Sequence, residues 1–219
     1  MYILKKNHFL SSGLYLCYYT KSYQFQDTMK LVFATHNKNK FAEVKALMPE
    51  YIELLSLTDI DFHDDIRETE DTIEGNAILK ANYIKDRLGF NCFADDTGLE
   101  VDALDGKPGV YSARYAGEQR SSEDNMDLLL DNLKGQDNRA AQFKTIIALV
   151  IDKQKTLFSG ICRGEIIKEK RGEKGFGYDP IFIPNASKKT FAEMPQDEKA
   201  KHSHRGKAIR ELIDYLKED

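Results

Sequence analysis

Cysteine is scarce in this chain. Its 219 residues include Cys17, Cys92 and Cys162, which lie far apart, and no two of them have the spacing of metal ligands. An odd number of cysteines without a regular framework argues against disulfide-stabilised and cysteine–metal proteins. The pattern is typical of a cytoplasmic protein in which each cysteine is a small core residue.

An excess of positive charge is also missing. The formal net charge is −4 at pH 7, whereas proteins that bind nucleic acid in general are usually basic. We therefore expect no nucleic-acid partner, although this net charge leaves room for a local basic pocket.

Long apolar runs are absent as well. The strongest run, residues 9–19, is interrupted by Ser11, Ser12 and Gly13, so it is too short and too polar to span a bilayer. It also lacks the small-residue cleavage site of a signal peptide. We therefore expect no membrane partner and interpret residues 1–28 as an N-terminal extension outside the fold. A weak export signal is the alternative interpretation.

From Met29 onward the chain contains no internal repeat, low-complexity linker or change of composition. Helical and strand patterns alternate, with a long hairpin in the middle, which predicts one α/β domain over residues 29–219. Its fold is expected to be a mixed sheet with flanking helices, in two lobes around a cleft. The predicted strands are 31–34, 52–57, 93–95, 99–101, 142–151, 156–167 and 180–183, and the predicted helices are 40–48, 72–88, 122–133 and 203–217.

The most informative feature is the acidic pair Asp95 and Asp96. Three apolar residues, Cys92 to Ala94, precede it, and Thr97 and Gly98 follow. The pattern predicts a carboxylate pair at the end of a buried strand, where unpaired negative charge is costly. A cation is expected there, either Mg²⁺ or basic side chains. A solvated turn is the alternative.

Two further segments carry groups that bind phosphates or metals. The loop between the first strand and the first helix offers backbone N–H groups and polar side chains to an anion, or is simply a capped polar loop. Its residues are Thr35, His36, Asn37, Lys38, Asn39 and Lys40. Glu68 and Lys80 flank the long helix and could serve a metal and a phosphate, or could be solvated surface charges.

Two segments near the C-terminus have residues suited to binding a nucleoside. Gly175 and Gly177 flank Phe176, which would expose the ring for stacking beside Tyr178 and Asp179, or would form a tight turn around a buried ring. Lys199, His204 and Arg205 form a basic cluster, with Ser203 as the expected N-cap of the last helix. Cations in a first helical turn are disfavoured by the helix dipole, so they indicate a ligand.

From Met29 to its C-terminus the chain resembles the inosine/xanthosine triphosphate pyrophosphatases. Six segments match in the order of the family, which is far more specific than any single motif. They are T-x-N-x-x-K (35–40), T-I-E-G-N-A-I-L-K-A (72–81), A-D-D-T-G-L (94–99), P-G-V-Y-S-A-R-Y-A-G (108–117), G-F-G-Y-D-P-I-F (175–182) and S-H-R-G-K-A (203–208). Small departures are Ile73 for Phe, Gly75 for Glu and Thr97 for Ser; none removes an expected catalytic group.

The resemblance implies an elongated two-lobed α/β fold, a homodimer, and Mg²⁺-dependent hydrolysis of ITP, dITP and XTP to the monophosphate and pyrophosphate. It implies that Asp96 is the catalytic base and a metal ligand, that Glu68 is a metal ligand, and that Asp95 supports them. The residues implied to hold the triphosphate are Thr35, Asn37, Lys40, Lys80 and Lys199. Those implied to frame the nucleoside are Thr97, Phe176, Tyr178, Asp179, His204 and Arg205, and Gly177 is assigned to the same substrate site. The alternatives are a broader nucleotide pyrophosphatase and a non-catalytic nucleotide-binding regulator.

Overall fold

The structure is a computed structural model that describes residues 28–218. The extension predicted for residues 1–28 therefore lies outside the described residues, apart from Thr28. The strands are β1 (Met29–Phe33), β2 (Ile52–Ser56), β3 (Cys92–Val101), β4 (Pro108–Gly109), β5 (Ala140–Ile151), β6 (Gln154–Ile166) and β7 (Phe182–Pro184). The α-helices are α1 (Lys38–Lys45), α2 (Ile73–Leu88), α3 (Ser122–Asn132), α4 (Gln196–His202) and α5 (His204–Glu218). Short 3₁₀ helices cover Asp102–Leu104, Ser112–Arg114, Asp179–Ile181 and Phe191–Glu193.

One mixed sheet organises the chain, which confirms the predicted α/β class. The strand order is β2-β1-β3-β5-β6-β7, and β4 pairs with β3 beside this path. β1 runs parallel to both of its neighbours, β2 and β3. The other four pairs are antiparallel: β3 with β4, β3 with β5, β5 with β6, and β6 with β7. The long β5–β6 hairpin was predicted, and its first strand, β5, lies beside β3 at the centre of the sheet.

The core has three apolar clusters. One packs α2 against one face of the sheet, and a second packs α5 against the opposite face. The third lies farther along the sheet, where β3 and β5 meet α3 and the segment that contains β7. The predicted buried stripe of α2 is confirmed at Ile73, Ala77, Ala81 and Ile84, but Leu88 is 40% exposed because it lies at the end of the helix, outside the clusters.

The prediction that the acidic pair ends a strand is wrong. Asp95, Asp96, Thr97 and Gly98 lie in the middle of β3, and β5 pairs with all ten residues of that strand. Continuous pairing with β5 overrides the turn preference of the Asp, Thr and Gly residues. Gly98 lets the backbone at Gly109 approach β3 closely, because a Cβ at Gly98 would lie 2.6 Å from the carbonyl oxygen of Gly109.

Side-chain caps explain the bounds of two helices. α1 begins at Lys38, earlier than predicted, because the Asn37 side chain accepts hydrogen bonds from the backbone N–H groups of Asn39 and Lys40. α2 begins after Thr72, which caps Gly75 N, and ends at Gly89 in the left-handed conformation. Near the C-terminus, α4 was not predicted, and β7 begins at Phe182 because the preceding residues form a 3₁₀ helix.

The helices are short or carry many polar residues. Within residues 28–218, none combines the length and the apolar character that crossing a bilayer requires.

Candidate active site

A gap in the sheet creates the candidate site. β1 pairs with β3 at Cys92 and Phe93, and β4 pairs with β3 at Leu99 and Glu100. Between these points, the edge of β3 that carries the acidic pair faces no strand on this side within the described part of the chain. A cavity of about 300 Å³ opens at this gap, lined by side chains from both faces of the sheet.

Asp95 and Asp96 point to opposite faces of β3 because they are neighbours on a strand. Asp95 accepts hydrogen bonds from Lys40 Nζ at 3.0 Å and from Arg205 Nε at 3.1 Å. Burial alone would raise the pKa of Asp95, but Lys40 and Arg205 outweigh it and hold that pKa well below its usual range. Asp95 is therefore a permanently charged anchor for two cations.

Asp96 lies in a different group, here called the Asp96 cluster, which contains Asp96, Lys80, Glu68 and Arg114. Lys80 Nζ donates to Asp96 Oδ1 at 3.2 Å and to Glu68 Oε1 at 2.7 Å. Arg114 Nη1 lies 3.4 Å from the other oxygen of Glu68. Burial raises the pKa of Asp96, and the neighbouring carboxylates Glu68 and Asp95 add to that effect against Lys80 and Lys40. Asp96 thus has the environment of a proton acceptor.

Glu43, which the sequence analysis missed, connects two of the expected binding residues. It accepts from Lys199 Nζ and from Arg205 Nη1, each at 2.6 Å. Burial would raise its pKa, but Arg205 and Lys199 lower it. The available signal was its position on α1, three residues after Lys40 and therefore on the same side of the helix. We call the connected set the Asp95 network; its members are Lys40, Asp95, Arg205, Glu43, Lys199 and Asp179.

The loop that carries Phe176 is fixed by Asp179. Asp179 Oδ2 accepts from the backbone N–H of Phe176 at 2.8 Å and from Lys199 Nζ at 2.6 Å. Gly175 adopts a φ of 76°, and a Cβ there would collide with the Asp179 carboxylate. Lys199 Nζ lies 5.0 Å from the centre of the Phe176 ring, and Arg205 Cζ lies 5.6 Å from it. Lys199 thus lies with the expected nucleoside residues and not with Lys80.

His204 is buried at the start of α5 and stacks on Phe143, with 4.5 Å between ring centres. Its Nδ1 has no hydrogen-bond partner among the residues that the structure describes. Burial, and then the nearby Arg205, lower the pKa of His204 well below 6.5, so the ring is neutral at pH 7. A buried polar atom without a partner at a cavity wall is suited to hydrogen bonding with a ligand.

The cavity brings together nearly all of the predicted site residues. It is lined by Thr35, His36, Asn37, Lys40, Glu68, Lys80, Asp96, Thr97, Phe176, Gly177, Tyr178, Asp179, Lys199, His204 and Arg205. Lys38 and Asn39 are not in the lining; they are exposed in the first turn of α1. Glu43, Arg114, Ser112 and Arg120 were not predicted. Ser112 accepts a hydrogen bond at its carbonyl oxygen from the Tyr178 hydroxyl at 2.9 Å, which ties the nucleoside loop to the segment before α3.

Glu68 and Asp96 are the carboxylates of the cavity that could hold a metal. No group of three or more His, Cys, Asp or Glu side chains in residues 28–218 is arranged to hold one. Glu68 and Asp96 nevertheless contact the same ammonium, so a cation can reach both carboxylates. Mg²⁺ is commonly held by one or two carboxylates together with substrate phosphates, and this pair fits that mode.

The fold and the site describe an α/β protein with a charged cavity in a split sheet. A sequence model of the Ham1 family matches residues 31–215. The chain belongs to the Ham1 family.

Similar proteins match the sequence of this chain over nearly their whole length. The dITP/XTP pyrophosphatase of Christiangramia forsetii is 60% identical over 188 residues, which are 86% of this chain and 99% of the relative. That of Porphyromonas gingivalis is 47% identical over 85% of this chain and 97% of the relative. Among solved structures, the Ham1 protein of Staphylococcus aureus has a TM-score of 0.78 at 40% identity, covering 86% of this chain and 98% of its own. A HAM1 protein from Coxiella burnetii has a TM-score of 0.80 at 37% identity, covering 87% and 100%.

Proposed function

We propose that this protein is a nucleoside triphosphate pyrophosphatase that hydrolyses dITP, ITP and XTP to the monophosphate and pyrophosphate. The observation that carries the proposal is that one cavity is lined both by Asp96, Lys80 and Glu68 of the Asp96 cluster and by the Phe176 loop. The first group suits phosphate chemistry and the second suits a purine base. Family membership and the names of the relatives support the same activity.

The two groups give the bound nucleotide a direction. The base stacks on Phe176 beside His204 and Arg205, and the α-phosphate lies at Asp96 and Lys80. Thr35, Asn37 and Lys40 line the cavity next to this position and contribute polar and charged groups to the phosphates. Lys199, which we expected to bind phosphate, belongs by its contacts to the nucleoside side.

In the reaction, the Asp96 carboxylate accepts a proton from a water molecule whose oxygen attacks the α-phosphorus. A bond forms between that oxygen and the phosphorus, and the bond to the bridging α–β oxygen breaks, so pyrophosphate leaves with the bonding electrons. Lys80 holds Asp96 and Glu68 in place through its two hydrogen bonds. Glu68 and Asp96 would hold Mg²⁺, which neutralises phosphate charge when it is bound.

Selectivity for the base follows from the donors near position 6 of the purine. Inosine and xanthosine carry a carbonyl acceptor there, whereas adenine carries an amino donor. Arg205 is fixed by Glu43 and Asp95, and its Nη2 donates to the Thr97 hydroxyl at 3.2 Å. A site whose fixed donors, here Arg205 and His204, pair with the carbonyl would leave them unpaired against adenine, and such mismatches discriminate strongly.

We further propose that the protein works as a homodimer in the cytoplasm. Tyr111, Leu157 and Ile161 are large apolar side chains exposed on the described surface, and they are candidates for a subunit contact. The free thiols of Cys92 and Cys162 suit a reducing compartment. Sedimentation equilibrium is expected to give twice the mass of one chain, and the mass of a single chain would contradict the dimer.

The test is pyrophosphate release from ITP, XTP, dITP, ATP and GTP, with and without Mg²⁺. We expect fast release from the first three that depends on Mg²⁺, and little from ATP and GTP. Equal rates on all five would keep the chemistry but indicate a broad pyrophosphatase. Binding of ITP without pyrophosphate release from any substrate would favour a nucleotide-binding regulator.

A further inference from the structure

The charged groups around the cavity neutralise one another. The Asp95 network contains three cations and three carboxylates. The Asp96 cluster contains two of each. Asp65 also lines the cavity and adds a negative charge. A triphosphate brings several more negative charges, so these two groups offer it no net positive charge.

Arg120 is a cavity cation that stands outside both groups. It lines the cavity and is exposed, and it forms no ion pair with any residue in the described range 28–218. Its guanidinium therefore keeps all of its donors for a ligand, and a guanidinium suits phosphate oxygens in charge and in shape.

The backbone holds Arg120 in place at the cavity mouth. Its φ is 53°, in the left-handed region that a residue with a Cβ rarely adopts. The N–H of Arg120 donates to the carbonyl oxygen of Gly117 at 3.2 Å, and the next residue, Ser121, caps α3 through Asp124 N. These two fixed points keep the backbone of Arg120 beside the cavity.

We propose that Arg120 binds the β- and γ-phosphates of the substrate, the part that leaves as pyrophosphate. This inference rests on the proposed function and extends it to a residue that the sequence motifs do not include. With the base at Phe176 and the α-phosphate at Asp96, the terminal phosphates are the most charged and most solvated part of the ligand. Arg114, in the same segment as Arg120, contacts Glu68 of the Asp96 cluster. The segment therefore runs beside the α-phosphate position, and the exposed guanidinium of Arg120 is available to the phosphates beyond it.

The test measures binding of the two products separately, so that turnover does not interfere. Pyrophosphate and inosine monophosphate are titrated calorimetrically into the full chain, with Mg²⁺ present. We compare the wild type with Arg120→Gln, Arg120→Lys and Lys153→Gln. Lys153 lies in the exposed turn between β5 and β6 and does not line the cavity, so its variant removes the same charge elsewhere.

Arg120→Gln is expected to weaken pyrophosphate binding about fivefold, the effect of one exposed charge pair, and to leave inosine monophosphate binding unchanged. Arg120→Lys should keep most of the pyrophosphate affinity because it keeps the charge. Lys153→Gln should match the wild type for both products. The kcat/KM of Arg120→Gln for ITP should fall by a factor similar to its loss of pyrophosphate affinity.

Arg120→Gly separates binding from folding. Glycine adopts a φ of 53° without strain, so this variant should melt at or above the wild-type temperature and still bind pyrophosphate weakly.

Three results would overturn the assignment of Arg120. They are pyrophosphate affinities that are equal in Arg120→Gln and Lys153→Gln, equal losses for both products, and no pyrophosphate binding by the wild type. If the wild type hydrolyses neither ITP nor XTP, the proposed function fails, and the pyrophosphate titration still decides the role of Arg120.

Discussion

Two adjacent residues, Asp95 and Asp96, have opposite pKa shifts. Asp95 is held between Lys40 and Arg205, which lower the pKa of Asp95. Nearby cations offset less of the burial of Asp96, so burial raises the pKa of Asp96. The alternation of side chains along β3 places them in different surroundings. A folded state therefore gains stability from the charge of Asp95 and loses some to the charge of Asp96.

Substituting each aspartate should separate stability from activity. Asp96→Asn is expected to lower kcat by about 10²- to 10⁴-fold, the usual contribution of a general base. Its free energy of unfolding should equal or exceed that of the wild type. Asp95→Asn should lower that free energy by about 3–5 kcal/mol, because two buried cations lose their partner. Urea unfolding measures the free energy of unfolding of each variant, and ITP turnover measures its kcat. Near-normal turnover by Asp96→Asn would contradict its assigned role.

His204 predicts a pH dependence of stability. Its pKa is lowered in the folded state, chiefly by burial and then by Arg205. Below the unfolded-state pKa of about 6.5, the unfolded chain binds a proton that the folded chain does not, so acidification destabilises the fold. The free energy of unfolding should fall by up to about 1.4 kcal/mol per pH unit for this group below pH 6.5. The variant His204→Gln should lose this part of the slope between pH 7 and 5. Parallel curves for the two proteins would show that His204 is not buried as a neutral ring.

Residues inside recognisable patterns could be predicted from the sequence, whereas isolated charges could not. The Phe176 loop and the Thr35–Lys40 loop have residue types at spacings that suggest a ligand, and most of their residues line the cavity. Arg114 lies within the 108–117 motif without an assigned role, whereas Glu43 and Arg120 are single charged residues outside the motifs. In sequence they look like solvated surface charges, and only the tertiary fold shows what they face.

At the scale of elements, the sequence predicted helices and hairpins from their local apolar patterns, but it did not predict the pairing of strands that lie far apart in the chain. The apolar stripe of α2 and the β5–β6 hairpin follow from patterns within a few residues. Whether Thr97 and Gly98 turn or continue a strand depends on β5, about 50 residues away, which pairs with them. The turn preference of those two residues is weaker than a full ladder of cross-strand hydrogen bonds.

Because α5 packs closely on β6, we expect Gly160 to tolerate no larger side chain. A Cβ at Gly160 would collide with the carbonyl oxygen of His204 and lie 2.8 Å from Ala208 N. Gly160→Ala is therefore expected to push α5 away from the sheet and lower the free energy of unfolding by about 1–3 kcal/mol. Because His204 begins α5, the KM for ITP should also rise. Urea unfolding and steady-state kinetics test this, with Ser159→Ala on the exposed face of β6 as the matched control. Equal effects of the two substitutions would contradict the packing argument.

At the scale of the molecule, the active site depends on the sheet being split. β3 belongs to the parallel part through β1 and to the antiparallel part through β4 and β5. The acidic pair lies where its pairing changes from one to the other, so charged side chains reach the cavity from both faces. The pyrophosphatase family could be predicted from six short motifs, and the α/β class from the alternation of helices and strands. This gap could not, because it depends on where β1 ends and where β4 begins along β3.

Residues 1–28 are expected to be dispensable for activity and for stability. β1 begins at Met29, the Ham1 family model matches residues 31–215, and the Christiangramia forsetii relative is covered over 99% of its length by 86% of this chain. Within the described residues 28–218, those that line the cavity all lie after Met29. Protein that starts at Met29 should therefore show the same kcat/KM for ITP and the same melting temperature as the full chain, measured side by side. A lower kcat/KM with an unchanged melting temperature would mean that the extension takes part in substrate binding, and a lower melting temperature would mean that it stabilises the fold.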